Sequence, residues 1–97
     1  MMTILVTYDV STEDAAGRRR LRHMAQQCCN FGQRVQKSVF ECEVDEMQFE
    51  RLVRALVKII HKEEDSLRIY RLTEPLGKNV RVYGWDKKVD FTRPLLV

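Results

Sequence analysis

The chain has 97 residues, of which 44% are hydrophobic and 32% charged, and its formal net charge is +3 at pH 7. This composition excludes a disordered chain, and no apolar run approaches the ~20 residues of a membrane span. One small domain is expected, burying roughly 60–65% of its unfolded surface, so that oligomerisation would add useful stability. Its three cysteines, Cys28, Cys29 and Cys42, form no C-x-x-C pair. We therefore expect reduced thiols and a cytoplasmic protein.

The first predicted element is a strand over residues 3–9, TILVTYD, which is rich in β-branched and aromatic side chains. Alternation places Ile4, Val6 and Tyr8 on one face and Asp9 on the opposite face. A strand that ends on a lone acid is open to three interpretations: a turn residue, a helix-entry signal or a metal ligand.

A helix is predicted from about Thr12 to Cys29, opening with the capping-box-like S-T-E-D at residues 11–14. Residues at i, i+3, i+4 and i+7 form its buried stripe, namely Leu21, Met24, Ala25 and Cys28. The window 15–40 contains no acid and six basic residues, Arg18, Arg19, Arg20, Arg22, Arg34 and Lys37. Such a basic zone attracts polyanions, and the alternative is a merely solvated helix face.

Residues 33–44, QRVQKSVFECEV, alternate throughout, but the parity changes between Val35 and Phe40. Two antiparallel strands or a sharp bend near Lys37 are therefore predicted. Asp45-Glu46 opens a second helix, whose apolar stripe comprises Phe49, Leu52, Val53, Leu56, Ile59 and Ile60. Residues 66–72 (SLRIYRL) are predicted as a strand, 73–78 as a loop, and 79–85 (NVRVYGW) as one further short strand.

This order predicts an α+β, ferredoxin-like βαββαβ fold with an additional C-terminal strand and with both helices on one face of an antiparallel sheet. The domain is expected to span residues 1–85, followed by a C-terminal tail at 86–97. The opposite face of the sheet needs cover, and a second copy of the chain is its simplest source. A homodimer is therefore expected.

Several chemistries lack support in the sequence. His23 and His61 have no sequence link to an activated Ser or Cys, and neither zinc-ligand spacing nor a Gly-rich phosphate loop is present. An RNA-recognition motif shares the topology, but Glu41 and Glu43 stand where its stacking aromatics would be expected. There remains Asp9 ahead of an arginine-rich helix. A carboxylate holding hydrated Mg²⁺ suits phosphodiester cleavage, and two copies across a two-fold axis make a better site than one.

Two motifs resemble those of the Cas2 family of small CRISPR-associated nucleases. They are Tyr8-Asp9-Val10 and the segment Gly32-x-Arg34-Val35-Gln36-x-Ser38-Val39-Phe40-Glu41-Cys42, and the resemblance extends across about residues 3–85. It implies a homodimeric endonuclease that uses Mg²⁺ or another divalent cation and acts on single-stranded RNA or double-stranded DNA. It also implies a partner, the CRISPR-associated integrase (Cas1), in the acquisition of new spacers.

The resemblance also assigns residues. Asp9 matches the acid proposed as the family's catalytic metal ligand, Arg34 and Phe40 match the motif Arg and Phe, and Tyr8 belongs to the first motif. The helix arginines are assigned only as a phosphate-contacting group, together with Arg34 and Lys37. The tail resembles family extensions that add a strand to the dimer partner or engage the integrase.

Three functions stay open at this point: the endonuclease, a non-catalytic homodimeric adaptor that holds DNA beside the integrase, and a toxin-type ribonuclease of the same fold. One carboxylate per protomer and no visible general base make a sparse active site. Six clustered cations make a substantial nucleic-acid surface, so the sequence favours binding of a nucleic acid over its cleavage.

Overall fold

Four strands and two helices follow one another in the order β-α-β-β-α-β in the computed structural model, which describes residues 1–74 and 76–85. Their bounds are β1 Met2–Asp9, α1 Ala15–Cys29, β2 Gly32–Gln36, β3 Val39–Val44, α2 Glu46–Ile59 and β4 Ser66–Leu72. The sheet order is β2-β3-β1-β4, and every neighbouring pair is antiparallel. The predicted ferredoxin-like arrangement is confirmed. No helix in the described ranges is long and apolar enough to cross a membrane.

The core lies on one face of the sheet. Ile4 and Val6 of β1 are fully buried and Tyr8 is 6% exposed, whereas Asp9 is exposed. The helices contribute to the same cluster through Met24, Cys28, Leu52 and Leu56. Both helices therefore cover the face that alternation predicted to be apolar. The opposite face, called the open face below, carries Asp9 and its strand neighbours of the same parity.

The hairpin between β2 and β3 explains the change of parity in the sequence. Arg34 lies opposite Phe40 and Gln36 opposite Val39, so Val35 is an extra residue at a β-bulge. A two-residue turn at Lys37 and Ser38 joins the strands. The prediction of two antiparallel strands is confirmed, and the bulge is what makes the alternation slip.

The start of α1 differs from its prediction. The helix begins at Ala15 and not near Thr12, and its N-cap is Asp14, whose carboxylate accepts a hydrogen bond from the Gly17 amide at 2.7 Å. Gly17 is buried, and a Cβ there would overlap the carbonyl oxygen of Ser11. Residues 10–14 therefore fold back over the first turn as a loop. Ser11 lies four residues before the first helical residue, and Asp14 provides the N-cap instead.

The additional strand predicted at 79–85 is absent. Gly77–Asn79 forms one turn of 3-10 helix, and residues 80–85 have no strand pairing in the described sheet. A strand needs a hydrogen-bonded neighbour, and alternation in a sequence does not supply one. Val82, Tyr83 and Trp85 are 55%, 80% and 81% exposed. The tail predicted at 86–97 lies outside the described residues.

Candidate metal and nucleic-acid site

Asp9 ends the central strand with its side chain exposed on the open face. Its neighbours in sequence, Tyr8 and Val10, are 6% and 7% exposed, and they anchor the chain on the other side of the sheet. Its partner in the strand register is Ser66, the first residue of β4. A carboxylate displayed in this way is open to a cation or to a second protein chain.

One chain supplies only part of a metal site. Within residues 1–74 and 76–85, no group of three or more His, Cys, Asp or Glu side chains is placed to hold a metal ion. Mg²⁺ keeps several waters and usually takes one or two protein carboxylates. A single exposed carboxylate such as Asp9 is compatible with Mg²⁺ as one of these ligands.

Directly behind the end of β1 lies a buried carboxylate that the motif analysis did not single out. The side chain of Asp65 is 0% exposed and accepts four hydrogen bonds. Its donors are the Ser11 amide at 3.0 Å, the His61 amide at 2.8 Å, and the Arg20 guanidinium at 2.8 Å through Nε and 3.3 Å through Nη2. Burial opposes ionisation, but Arg20 and the two amides hold the pKa of Asp65 at about 2.

The structure divides the helix arginines into two groups. Arg20 is 16% exposed and forms ion pairs with Asp65 at 2.8 Å and Glu64 at 3.1 Å. Arg18, Arg19 and Arg22 are exposed. Arg18 also donates to the Thr12 carbonyl at 3.1 Å. Arg20 thus has a structural role, and the other three remain the predicted phosphate contacts.

The two sequence motifs meet in space around Tyr8 and Phe40. Their rings stack with centroids 6.2 Å apart, and the Arg34 guanidinium lies 5.2 Å from the centroid of the Phe40 ring. The Tyr8 amide also donates to the Ser38 carbonyl at 3.1 Å. The Tyr8 hydroxyl is buried without a well-aligned hydrogen-bond partner in the described chain. Burial raises the pKa of Tyr8, and the nearby Arg34 opposes this shift. The ring stacking of Tyr8 on Phe40 and the hydrogen bond from Tyr8 to Ser38 connect the β2–β3 turn, which carries the exposed Lys37, to the end of β1 that carries Asp9.

The second helix adds basic residues that the sequence analysis did not include. Arg51, Arg54 and Lys58 are exposed on α2 at i, i+3 and i+7, so they form one row along the helix. Because α1 and α2 pack side by side on the same face of the sheet, their exposed residues point away from it together. We call this set the basic helix surface: Arg18, Arg19, Arg22, Arg51, Arg54 and Lys58. The i, i+3, i+7 spacing was the signal that could have revealed the second row.

The cations of early α1 and late α2 lie at the same end of the molecule as Asp9, on the opposite side of the sheet. β1 runs towards this end, and the hydrogen bond from Ser11 to Asp65 brings the start of α1 beside the end of α2. The acidic first turn of α2 lies at the other end, where Glu46 pairs with Arg71 at 3.6 Å. A polyanion that extends from Asp9 around this end of the molecule would reach the arginines of early α1 and the cations of late α2.

Comparison with known proteins shows which proteins the chain is similar to. The family model described as CRISPR associated protein Cas2 matches residues 2–80. A relative named CRISPR-associated endoribonuclease Cas2 1, from Moorella thermoacetica, is 57% identical over 96 residues, covering 99% of this chain and 100% of that protein. A CRISPR-associated endonuclease Cas2 from Halalkalibacterium halodurans is 46% identical over 95 residues, covering 98% and 99% of the two chains.

A solved structure shows the same fold. The crystal structure of Streptococcus pyogenes Cas2 aligns with a TM-score of 0.78 and 48% sequence identity. The alignment covers 86% of this chain and 100% of that one. The fold described above is thus that of a solved relative.

Proposed function

Because the chain belongs to the CRISPR-associated Cas2 family, we propose that it is a Mg²⁺-dependent endonuclease that cleaves phosphodiester bonds of RNA or DNA. In this proposal it acts as a homodimer and takes part, with the CRISPR integrase, in the acquisition of new spacers. One observation carries the proposal. Asp9 is an exposed carboxylate on the open face at the end of β1, and the cations of early α1 and late α2 lie at the same end of the molecule, on the helix side of the sheet.

The proposed dimer brings two Asp9 side chains together. Among the described residues the helices cover one side of the sheet, while on the other side Leu76 and Gly77 line a pocket with Thr3 and Glu41. The open face carries Asp9 at the end of β1. In the dimer we propose, the two open faces pack about a two-fold axis that passes beside Asp9, so that the two Asp9 side chains meet across it. Two carboxylates from two chains then form the cation site that one chain lacks.

The basic helix surface would bind the phosphate groups of the nucleic acid. Arginine guanidinium groups bind phosphate oxygens through paired hydrogen bonds, and Arg19 and Arg22 are exposed with no ion pair among the described residues. Asp9 would hold the cation, which when bound offsets phosphate charge and activates a water molecule. The residues of the chain thereby orient the phosphodiester, and the dimer completes the site.

A cleavage assay tests this proposal. Purified native protein and Asp9→Asn are incubated with single-stranded RNA and with duplex DNA, in Mg²⁺ or in a chelator. Asp9→Asn keeps the shape of the side chain and removes its charge, so we expect cleavage to fall to background. Glu50→Gln is the matched control, since Glu50 is an exposed acid on the second turn of α2. Undiminished cleavage by Asp9→Asn would overturn the assignment.

A second candidate function is the non-catalytic adaptor that binds DNA beside the integrase. It is favoured by the contrast between the six exposed cations of the basic helix surface and the one carboxylate per chain, Asp9, that is assigned to the cation. Neutralising two phosphate contacts should lower the slope of log K against log salt by about 2. We therefore expect Arg19→Gln with Arg22→Gln to weaken duplex binding and flatten this slope. Arg71→Gln, which removes a cation at the opposite end of the sheet, should do neither.

The two functions give different results with the same variants. If the protein is an adaptor, spacer acquisition requires the arginines but tolerates Asp9→Asn. If it is an endonuclease, its function requires the arginines and Asp9. Unchanged affinity and an unchanged salt slope in the double arginine variant would contradict the binding surface that both functions share.

A further inference from the structure

The buried pair of Asp65 and Arg20 lies beside the end of β1 without touching the open face. We propose that this pair is a positioning device for Asp9: it fixes the backbone that follows β1 and so sets the affinity of Asp9 for a divalent cation. The inference rests on the proposed function, in which Asp9 is the metal ligand. It gives Arg20 a role different from that of its neighbours Arg19 and Arg22.

The Asp65 carboxylate joins the segments that surround Asp9. It closes its own loop through the His61 amide at 2.8 Å, holds the β1–α1 loop through the Ser11 amide at 3.0 Å, and binds α1 through Arg20 at 2.8 Å. Ser11 follows Asp9 by two residues. The residue after Asp65, Ser66, is the register partner of Asp9 in the sheet. Any movement of Asp65 therefore reaches Asp9 from both sides.

The loop after Asp9 is also held from beneath. The carbonyl of Ser11 packs so closely on Gly17 that the chain has no room for a Cβ there. Asp14 fixes the far end of the loop by accepting from the Gly17 amide at 2.7 Å. The Ser11 backbone is held in place because its carbonyl packs against α1 and its amide donates to Asp65. Since Ser11 follows Asp9 by two residues, these contacts also restrict the position of the Asp9 backbone.

A neutral side chain cannot replace Asp65 in this role. All four contacts to its carboxylate come from N–H donors, which need an acceptor on each oxygen. Asparagine would turn one of the two oxygens into an N–H donor facing other donors, and would leave the half-exposed Glu64 as the carboxylate that pairs with Arg20. An unpaired buried N–H donor is unfavourable, and the β1–α1 loop can relieve it by moving so that the donor reaches water.

The test measures cation binding directly and uses Mn²⁺ as the probe. Free Mn²⁺ is titrated by electron paramagnetic resonance against the native full chain, Asp9→Asn, Asp65→Asn and Arg20→Gln. Changes to groups that orient a metal ligand cost roughly tenfold or more in metal affinity. We expect Asp65→Asn to weaken Mn²⁺ binding by about tenfold, with Arg20→Gln intermediate because two amides still hold the carboxylate.

Two further measurements separate positioning from general loss of stability. Ile59→Ala, which removes packing on α2, serves as a control whose stability is lowered while the loop is intact, and it should bind Mn²⁺ as the native chain does. Hydrogen exchange should show faster exchange of the Ser11 amide in Asp65→Asn and not in Ile59→Ala. If Asp65→Asn does not fold, Arg20→Gln carries the same comparison.

The outcomes distinguish this inference from the proposed function. Native Mn²⁺ affinity in Asp65→Asn, with the Ser11 amide exposed to exchange, would overturn the positioning role and leave Asp9 as the ligand. Equal loss of affinity in Ile59→Ala would overturn it as well. Native affinity in Asp9→Asn would overturn the metal assignment itself, and the positioning role with it.

Discussion

The carboxylate of Asp65 should make the stability of this fold depend on pH in the acid range. Its pKa is lowered from 3.8 to about 2, because hydrogen bonds from Arg20 and from the His61 and Ser11 amides outweigh the effect of burial. Since the folded pKa lies below the unfolded one, the contribution is fully present above about pH 4. It is lost as the pH falls through 3.8 towards 2, where the carboxyl becomes protonated.

The size of the effect follows from the same shift. One pKa unit corresponds to about 1.4 kcal/mol, so Asp65 contributes roughly 2 kcal/mol that disappears on acidification. Asp65→Asn also breaks a buried pair, which costs about 3 kcal/mol at pH 7 since Arg20 retains some contact with solvent. The free energies of unfolding of the two proteins should therefore differ by about 3 kcal/mol at pH 7 and by about 1 kcal/mol near pH 2.

Urea unfolding at several pH values, at one fixed protein concentration, measures this difference. Glu64→Gln is the matched control. Glu64 pairs with the same arginine at 3.1 Å, but its side chain is 47% exposed, so its loss should cost less than 1 kcal/mol. A difference between native protein and Asp65→Asn that stays constant from pH 7 to pH 2 would refute the assignment of the acid response to this carboxylate.

Two further predictions follow from buried contacts. Gly17→Ala should lower the melting temperature, because the added Cβ would overlap the Ser11 carbonyl oxygen. This holds although Ala favours a helix over Gly by about 1 kcal/mol. An equal or higher melting temperature would contradict the close packing of Ser11 on Gly17. Burial raises the pKa of Cys28 to about 12 and of Cys42 to about 11, so both stay protonated at pH 8, whereas Cys29 is exposed. A disulfide reagent at pH 8 should therefore label Cys29 first, and rapid labelling of either buried thiol would be inconsistent with this packing.

Local patterns were sufficient for most of the architecture. The alternation of Ile4, Val6 and Tyr8 located the central strand and its buried face, and Asp45 begins α2 with a capping box completed by Gln48. These signals are local because backbone geometry and caps act over a few residues. The predicted start of α1 was wrong because it depends on a contact that is distant in sequence. The Ser11 amide donates a hydrogen bond to Asp65, 54 residues further along the chain, and no local pattern reveals this contact.

The additional strand shows a different limit. Residues 79–85 have strand-like composition, but a strand forms only where a neighbour offers its hydrogen bonds, and the described part of the chain offers none to this segment. Composition reports the preference of a segment and not the identity of its partner.

The candidate site could be predicted in outline but not in detail. Asp9 was recognisable as an acid on the open face at the end of a strand, and the acid-free window located the arginines. Because four arginines stand within residues 18–22, the sequence did not show which of them are exposed and which is paired with an acid. Arg20 lies three residues after the buried Gly17 and four before the buried Met24, so helical phase places it at the edge of the core stripe. Its partner Asp65 stands in an acidic turn, where the sequence does not mark it as buried.

The central claim is that two Asp9 side chains, one from each protomer, form a single cation site. Native and Asp9→Asn chains can be unfolded together and refolded in varying ratios, giving dimers of random composition whose Mg²⁺-dependent cleavage is then measured. If both carboxylates are needed, activity should follow the square of the native fraction, so an equal mixture retains about one quarter of the native rate. Activity that falls in direct proportion, leaving about one half in the equal mixture, would show that each Asp9 acts alone and would contradict the shared site.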